Sequence, residues 1–158
     1  MTNDEARVLL TAQDVVALTM FGEARGDGRD GSSVEERIAV GCVIRNRLRT
    51  PARFGTSYQL VCLKRWQFSC WLEADPNSET LWNHARAIAS GINILDSILK
   101  ETHFLALGIV GDEILDRTGG ATHYYAPRSM VPVNSMPDWA VGKAPIARIG
   151  TQLFFKGV

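Results

Sequence analysis

Residues 38–44 are apolar on every side, and this segment does most to limit how the chain can fold. Ser33 and Glu36 before it have the spacing of a capping box, which predicts the start of an α-helix. A helix that is apolar all round has no face suited to water and is therefore buried. Small residues at Ala39 and Gly41 would let a neighbouring helix approach closely. The sequence thus predicts a central buried helix that ends in polar residues.

Length and composition favour one globular domain around this helix. The chain has 158 residues, of which 46% are hydrophobic and 22% charged, an ordinary balance for a domain with a real core. We expect residues 1–10 to form a flexible lead-in and residues 11–158 to form the single domain.

The charge balance and the lack of a long apolar stretch argue against two classes of partner, nucleic acids and membranes. Basic and acidic side chains number 17 each, so the basic excess of a dedicated nucleic-acid binder is missing. No apolar stretch approaches the roughly 18 to 20 residues of a membrane span. We expect a monomer with no nucleic-acid partner and no insertion into a membrane.

Capping and periodicity predict further helices. Thr11 with Asp14 forms a capping pair that opens a helix before the central one. Another helix is predicted over 77–91, after a proline. Residues 50–76 lack periodicity and are predicted to be irregular, and residues 93–107 are ambiguous between a short helix and a turn.

The last third of the chain changes character and predicts a small sheet. Residues 122–125 favour a strand after a Gly-Gly turn. A proline-rich loop follows over 126–145, and residues 146–155 predict a hairpin that turns near Gly150. The fold class is therefore α+β and mainly helical.

Glu23 follows directly on the apolar run 15–21 and falls in the last turn of the predicted helix. Gly26 and Gly28 would end that helix or follow its end, because glycine tolerates left-handed cap geometry. Burial and the negative end of the helix dipole both disfavour a charged carboxylate. We therefore expect Glu23 to hold a proton near neutral pH, as the acid catalyst of glycosidic bond cleavage must.

The residues beside Glu23 are small. Gly22, Ala24 and Gly26 would leave room for a ligand to approach the carboxyl group. A single glutamate at a helix end is usually a solvated surface residue, but these neighbours favour a functional role for Glu23.

Three aromatic and polar clusters accompany Glu23, over residues 65–71, 122–126 and 137–140. Sugar sites need flat aromatic faces for stacking, with amides or hydroxyls for hydrogen bonds. Trp82 is predicted to be a core residue, whereas Trp66 and Trp71 are equally consistent with core anchors and with ligand contacts.

No metal or cofactor is predicted. Cys42, Cys62 and Cys70 form an odd set that favours free buried thiols, although a Cys62–Cys70 disulfide stays open. The three histidines lack the spacing of a zinc site. Residues 27–30 lack the ligand pattern of a calcium loop.

Five motifs together resemble one family, the cell-wall hydrolases of the spore-cortex-lytic type (SleB/CwlJ). They lie at residues 21–27 (FGEARGD), 39–47 (AVGCVIRNR), 67–71 (QFSCW), 121–125 (ATHYY) and 137–139 (PDW). They run in the family's order over nearly the whole chain. The family motif often ends in Glu where this chain has Asp27.

This resemblance implies a lysozyme-like fold with a small sheet beside a groove that binds peptidoglycan glycan strands. It implies cleavage between N-acetylmuramic acid and N-acetylglucosamine with Glu23 as the catalytic residue. Substrate contacts are expected from a set of polar and aromatic residues: Gln67, Ser69, Trp71, His123, Tyr124 and Trp139.

Two mechanisms fit an acidic glutamate. A lytic transglycosylase needs Glu23 alone, because the C6 hydroxyl of the sugar itself attacks C1 and gives a 1,6-anhydro product. This mechanism is the favoured hypothesis. A muramidase-type hydrolase needs a second carboxylate. The candidates are five acidic residues: Asp27, Glu35, Glu36, Glu73 and Asp138. Glu35 and Glu36 are expected to face solvent at a helix start, with Glu36 also capping.

Two other function classes stay open. A catalytically inactive sugar-binding or tail module would keep the aromatic groove without needing Glu23. A peptide-cleaving enzyme would need a nucleophile pair such as Cys70 and His123. The N-terminus lacks the basic and apolar parts of a signal peptide. We therefore expect synthesis in the cytoplasm and action on the wall after release or membrane permeabilisation, as for a phage or prophage lysin.

Overall fold

The computed structural model describes residues 1–25 and 33–158. The predicted ends of the second helix at Gly26 and Gly28 lie outside these residues. Within them the helices are α1 (Asn3–Leu9), α2 (Ala12–Glu23), α3 (Val34–Leu48), α4 (Pro51–Phe54), α5 (Tyr58–Leu63), α6 (Ser78–Ala89) and α7 (Ser97–Val110). The strands are β1 (His123–Tyr125), β2 (Ala147–Ile149) and β3 (Gln152–Phe155). None of the described helices is both long and apolar enough to cross a membrane.

Helix α3 is the buried central helix that the sequence predicts. Its side chains from Glu36 to Arg47 are all buried. A Cβ atom added to Gly41 would lie 2.8 Å from Ile109 of α7 and 3.0 Å from Met20 of α2. Glycine therefore lets both neighbouring helices pack tightly on α3, as expected.

The polar end of α3 is buried as well, which the sequence did not indicate. Arg45 pairs with Asp112 at 3.2 Å, and nearer the start of the helix Arg37 pairs with Glu101 at 3.2 Å. A buried guanidinium needs such partners, because an unpaired charge away from water is costly. The pair with Glu101 connects α3 to α7, and the pair with Asp112 connects α3 to the turn after α7.

The expected lead-in at residues 1–10 forms helix α1 in the structure. Thr2 and Glu5 make a reciprocal capping box, and Ala6 is completely buried. The guanidinium of Arg7 lies 4.9 Å from the ring centre of Trp82 on α6. The packing of α1 on α6 stabilises a helix that is too short to persist alone.

Two further regions are more regular than predicted. The stretch 50–76 contains α4 and α5, with Pro51 in the first turn of α4 and Ser57 capping α5. The ambiguous stretch 93–107 lies largely within α7, which Asp96 caps. Short local caps therefore define helices that hydrophobic periodicity did not reveal.

The three strands form one antiparallel sheet in the order β1–β3–β2, which confirms the predicted strand and hairpin. Phe154 and Tyr124 share the face that packs on Ala39 and Val43 of α3. Because successive side chains of a strand point to opposite faces, His123 belongs to the other face. The sheet therefore presents one face to the core and leaves the other for contacts outside it.

Glu36 is completely buried, so the expectation that it faces solvent is wrong, although its predicted capping role is confirmed. Its Oε1 accepts hydrogen bonds from the Thr151 amide at 2.6 Å and the Thr151 hydroxyl at 2.7 Å. Its Oε2 accepts one from the Ser33 amide at 2.7 Å. A Cβ on Gly150, which has a φ of 58°, would overlap the carboxylate. This carboxylate thus fastens the β2–β3 turn to the start of α3.

We expect Glu36→Ala to lower the free energy of unfolding by about 3 kcal/mol, because it removes the acceptor of three partly buried hydrogen bonds. Urea unfolding monitored by circular dichroism measures the loss. Glu35→Ala is the matched control, since the exposed Glu35 pairs with Arg117 at the surface and its loss should cost under about 1 kcal/mol. Equal effects of the two substitutions would contradict the role assigned to Glu36.

Candidate active site

Glu23 is the last residue of α2, and its half-buried carboxylate receives hydrogen bonds from two distant parts of the chain. Oε1 accepts from the Cys70 amide at 3.1 Å and lies 3.5 Å from the Ser69 hydroxyl. Oε2 accepts from the Tyr124 hydroxyl at 2.7 Å. The carboxyl group is therefore held in one orientation while part of it stays accessible.

Gly22 and Ala24 serve protein packing rather than ligand access, which corrects the expectation for these two residues, and Gly26 lies outside the described residues. A Cβ on Gly22 would lie 2.8 Å from Cβ of Cys70 and 2.9 Å from Leu81. Ala24 is completely buried. Gly22 thus lets the 69–71 turn approach α2 closely enough for the Cys70 amide to reach Glu23.

Tyr124 is a permanent hydrogen-bond donor to Glu23. Burial raises the pKa of its hydroxyl well above the usual value, and the nearby Glu23 carboxylate raises it further. The phenol therefore keeps its proton throughout the working range of the protein. Its ring packs against Phe154 with centres 5.6 Å apart, which fixes the direction of the hydroxyl.

Cys70 is not placed as a nucleophile. Its thiol is buried, and burial followed by the proximity of Glu23 raises its pKa well above the usual value. The nucleophile of a cysteine enzyme is the thiolate, so this environment is unfavourable. All three cysteines are free and buried, as predicted. His123 bonds instead to the Thr122 hydroxyl at 3.0 Å, and the structure does not pair Cys70 with His123.

Arg47 links the two segments that contact Glu23, and sequence reasoning did not single it out. Its Nε donates to the Thr122 carbonyl at 2.8 Å, and Nη1 donates to the Gln67 carbonyl at 3.0 Å. Burial lowers the pKa of Arg47, whereas Tyr124 and Glu23 nearby act in the opposite direction. The position of Arg47 in the 39–47 motif, at the polar end of an apolar helix, was the feature of the sequence that could have indicated this role.

Two of the predicted substrate contacts lie on the segment that Arg47 anchors. Ser69 is exposed beside Glu23. Gln67 is half buried, and its side-chain oxygen accepts from Arg47 at 3.3 Å, which leaves its amide NH₂ as the group able to donate elsewhere.

Trp71 is a core residue. The prediction that its ring stacks on the substrate is therefore wrong. Only 7% of it is exposed, and its ring packs on Trp82 with centres 4.7 Å apart. Its indole N–H donates to the Thr19 hydroxyl at 3.0 Å. Trp66, by contrast, is 71% exposed and is not a core anchor.

His123 and Trp139 form an aromatic surface on the sheet face opposite Tyr124. Their ring centres are 5.1 Å apart, and Trp139 also contacts Tyr125 at 5.8 Å and Phe155 at 5.2 Å. Both are half buried, so parts of the rings remain available to a ligand. We expected His123 to line the groove with Tyr124. The two side chains lie on opposite faces of the sheet, which does not support that expectation.

The imidazole of His123 is uncharged at neutral pH. Partial burial, together with the cations Arg47, Arg53 and Lys143, lowers the pKa of His123 to about 4. It can therefore act there as a neutral ring and hydrogen-bonding group but not as a cation.

The candidate second carboxylates are dispersed among different parts of the structure. Glu35 pairs with Arg117, and Glu36 is buried at the β2–β3 turn. Glu73 is exposed two residues after Trp71, Asp138 is exposed beside Trp139, and Asp27 lies outside the described residues. Within the described residues no group of acidic, histidine or cysteine side chains could hold a metal ion.

Comparisons with known proteins give a consistent family. The cell wall hydrolase model matches residues 31–155, an interval that begins after Glu23. The catalytic domain of the Bacillus cereus SleB protein is 23% identical, with a TM-score of 0.54 over 98% of this chain and 91% of that chain. The catalytic domain of the germination-specific lytic transglycosylase SleB from Bacillus anthracis is also 23% identical, with a TM-score of 0.55 over 99% of this chain and 96% of that chain.

A comparison with curated proteins gives no match. The two structural matches confirm the predicted fold class, a mainly helical, lysozyme-like domain with a small sheet. Because the family model matches most of its length, the chain belongs to the cell wall hydrolase family of peptidoglycan-degrading enzymes.

Proposed function

We propose that this domain cleaves peptidoglycan glycan strands between N-acetylmuramic acid and N-acetylglucosamine, as a lytic transglycosylase with Glu23 as its single acid and base. The observation that carries the proposal is the setting of Glu23. Its half-buried carboxyl group is oriented by the Cys70 amide on one oxygen and the Tyr124 hydroxyl on the other.

The reaction needs one group to give a proton and then to take one back. Glu23 would protonate the glycosidic oxygen as the bond to C1 of the muramic acid breaks. The resulting carboxylate would then accept the proton of the C6 hydroxyl as that oxygen attacks C1. The products are a 1,6-anhydro end and a free hydroxyl on the leaving sugar, so the proton on Glu23 is restored.

Tyr124 and the Cys70 amide would stabilise the carboxylate that Glu23 becomes after the first step. Both are fixed donors, and donors already in place when charge develops cost no rearrangement. Ser69 and the amide of Gln67 lie on the adjoining segment and would bond to sugar hydroxyls or N-acetyl groups. His123 and Trp139 would bind the strand farther along, through their aromatic faces.

A single-glutamate mechanism is favoured over hydrolysis because the described acidic candidates are engaged or dispersed. Glu36 is enclosed by protein donors and Glu35 is paired with Arg117. The solved domain from Bacillus anthracis is itself described as a lytic transglycosylase. Reducing ends in the product would favour the muramidase-type alternative instead.

We expect Glu23→Gln to lower glycan cleavage by at least about 10²- to 10⁴-fold, because glutamine cannot donate a carboxylic proton. Glutamine still accepts hydrogen bonds, so the fold should persist. Mass spectrometry of the muropeptides released from purified peptidoglycan measures both rate and product. The wild-type digest should contain 1,6-anhydro-muramyl ends.

Asp27→Asn is the matched carboxylate variant and should retain activity under a single-glutamate mechanism. The hydrolase alternative would be established if Asp27→Asn lost activity and the products of the wild-type protein carried reducing ends. Full activity in Glu23→Gln would overturn the mechanism and favour peptide cleavage, and no release of muropeptides by the wild-type protein would favour a binding module.

We expect Tyr124→Phe to lower kcat about 10- to 100-fold, since it removes a hydrogen bond to a charged group. The ring should still pack against Phe154, so the melting temperature should change little. Tyr58→Phe is the control, because the Tyr58 hydroxyl lies near Arg45 and Asp112 rather than Glu23. Equal kcat values for the two variants would exclude Tyr124 from the reaction.

A further inference from the structure

We propose that a second binding site, centred on Trp66, takes the carboxylate-bearing stem peptide attached to a muramic acid of the substrate. The inference rests on the proposed function for its substrate class, and it adds a site separate from the Glu23 carboxyl group. The inference is based on a cavity lined by cationic side chains and on an exposed tryptophan whose backbone is strained.

The cavity has a volume of about 480 Å³ and lies between α1 and the segment 63–74. Three cationic side chains, Arg7, Lys64 and Arg65, line it with one carboxylate, Glu73. The whole chain has no net charge, so this excess of positive charge is local. Such a wall favours an anionic ligand over a neutral sugar.

Trp66 occupies a backbone position suited to glycine. The Gln67 amide donates to the Lys64 carbonyl at 3.1 Å and closes a four-residue turn. Trp66 is the third residue of that turn and has a φ of 72°. A positive φ is strained for a bulky side chain, and such strain is concentrated at functional sites.

The strained position holds the indole at the surface rather than in the core. Trp66 is 71% exposed, and the guanidinium of Arg65 lies 4.9 Å from its ring centre. The arginine supports one face of the ring and leaves the other for a ligand. Trp66 is thus not enclosed by the core, and the free face of its indole is accessible to a ligand.

The cavity and the Glu23 carboxyl group are contacted by the same segment of the chain. Phe68 and Trp71 line the cavity, and Ser69 and Cys70 between them contact Glu23. Trp66 is three residues from Ser69, a covalent reach of at most about 11 Å. A peptide attached to a sugar bound at Glu23 can therefore extend to Trp66.

Peptide stems fit this site because they carry free carboxylates, which pair with Lys64 and the arginines, and amide planes, which stack on an indole. The glycan itself, apart from the stem, offers mainly hydroxyl and N-acetyl groups. The chemistry of the cavity therefore points to the peptide rather than to the sugar.

Calorimetric titration of the wild-type chain with N-acetylmuramyl peptide tests the site, with neutral N-acetylglucosamine tetramer as the comparison ligand. The monosaccharide peptide has no glycosidic bond for Glu23 to cleave, so failure of the Glu23 mechanism would leave this binding unchanged. We expect the affinity for the peptide to fall as salt is raised.

Trp66→Gly is the decisive variant, because it removes the ring and relieves the strained backbone. We expect an affinity for the muramyl peptide about tenfold lower and a melting temperature about 2–4 °C higher. Trp66→Phe should retain most of the affinity, and Lys64→Gln should weaken peptide binding while leaving tetramer binding unchanged. Phe104→Ala removes a similarly exposed ring from α7 and should change neither property.

Unchanged peptide affinity in Trp66→Gly would overturn the proposal. So would a lower melting temperature in that variant, which would assign Trp66 a structural role. An equal loss of affinity for the tetramer and the peptide would also overturn it, because the site would then recognise sugar. Intact glycan cleavage alongside any of these results would leave the Glu23 mechanism standing.

Discussion

Burial of helix α3 on every side is the constraint on which the rest of the structure depends. Its apolar residues bind α2 and α7 through close contacts at Gly41, and its other side packs on the sheet through Ala39 and Val43. A helix enclosed in this way must satisfy its own polar groups within the protein. Arg45, Arg47 and Glu36 of α3 therefore contact the surrounding loops and hold them in place.

The candidate active site follows from this arrangement. Arg47 bonds to the carbonyls of Gln67 and Thr122, and so positions the two segments that approach Glu23. Glu36 fixes the β2–β3 turn, and β3 pairs with β1, which carries Tyr124. The groups that orient Glu23 are thus connected through α3, although none of them belongs to it.

Local patterns allowed much of the fold to be predicted. Capping boxes located the starts of α2 and α3, and a Gly-containing turn located the hairpin. Helix α1 was not predicted, although the Thr2 and Glu5 spacing was present, because its stability depends on packing against Trp82. The roles of Trp66 and Trp71 could not be separated, since the burial of Trp71 depends on tertiary contacts with Trp82 and Thr19.

The sequence by itself determined the buried central helix, the capped helix with Glu23 in its last turn and the segments able to form a sheet, because these depend on residues close together in the chain. Tertiary structure alone decided what surrounds the Glu23 carboxylate. Its donors, the Cys70 amide and the Tyr124 hydroxyl, are 47 and 101 positions away. Their approach depends on packing at Gly22 and on the buried contacts of Arg47, which are three-dimensional properties that no local pattern encodes.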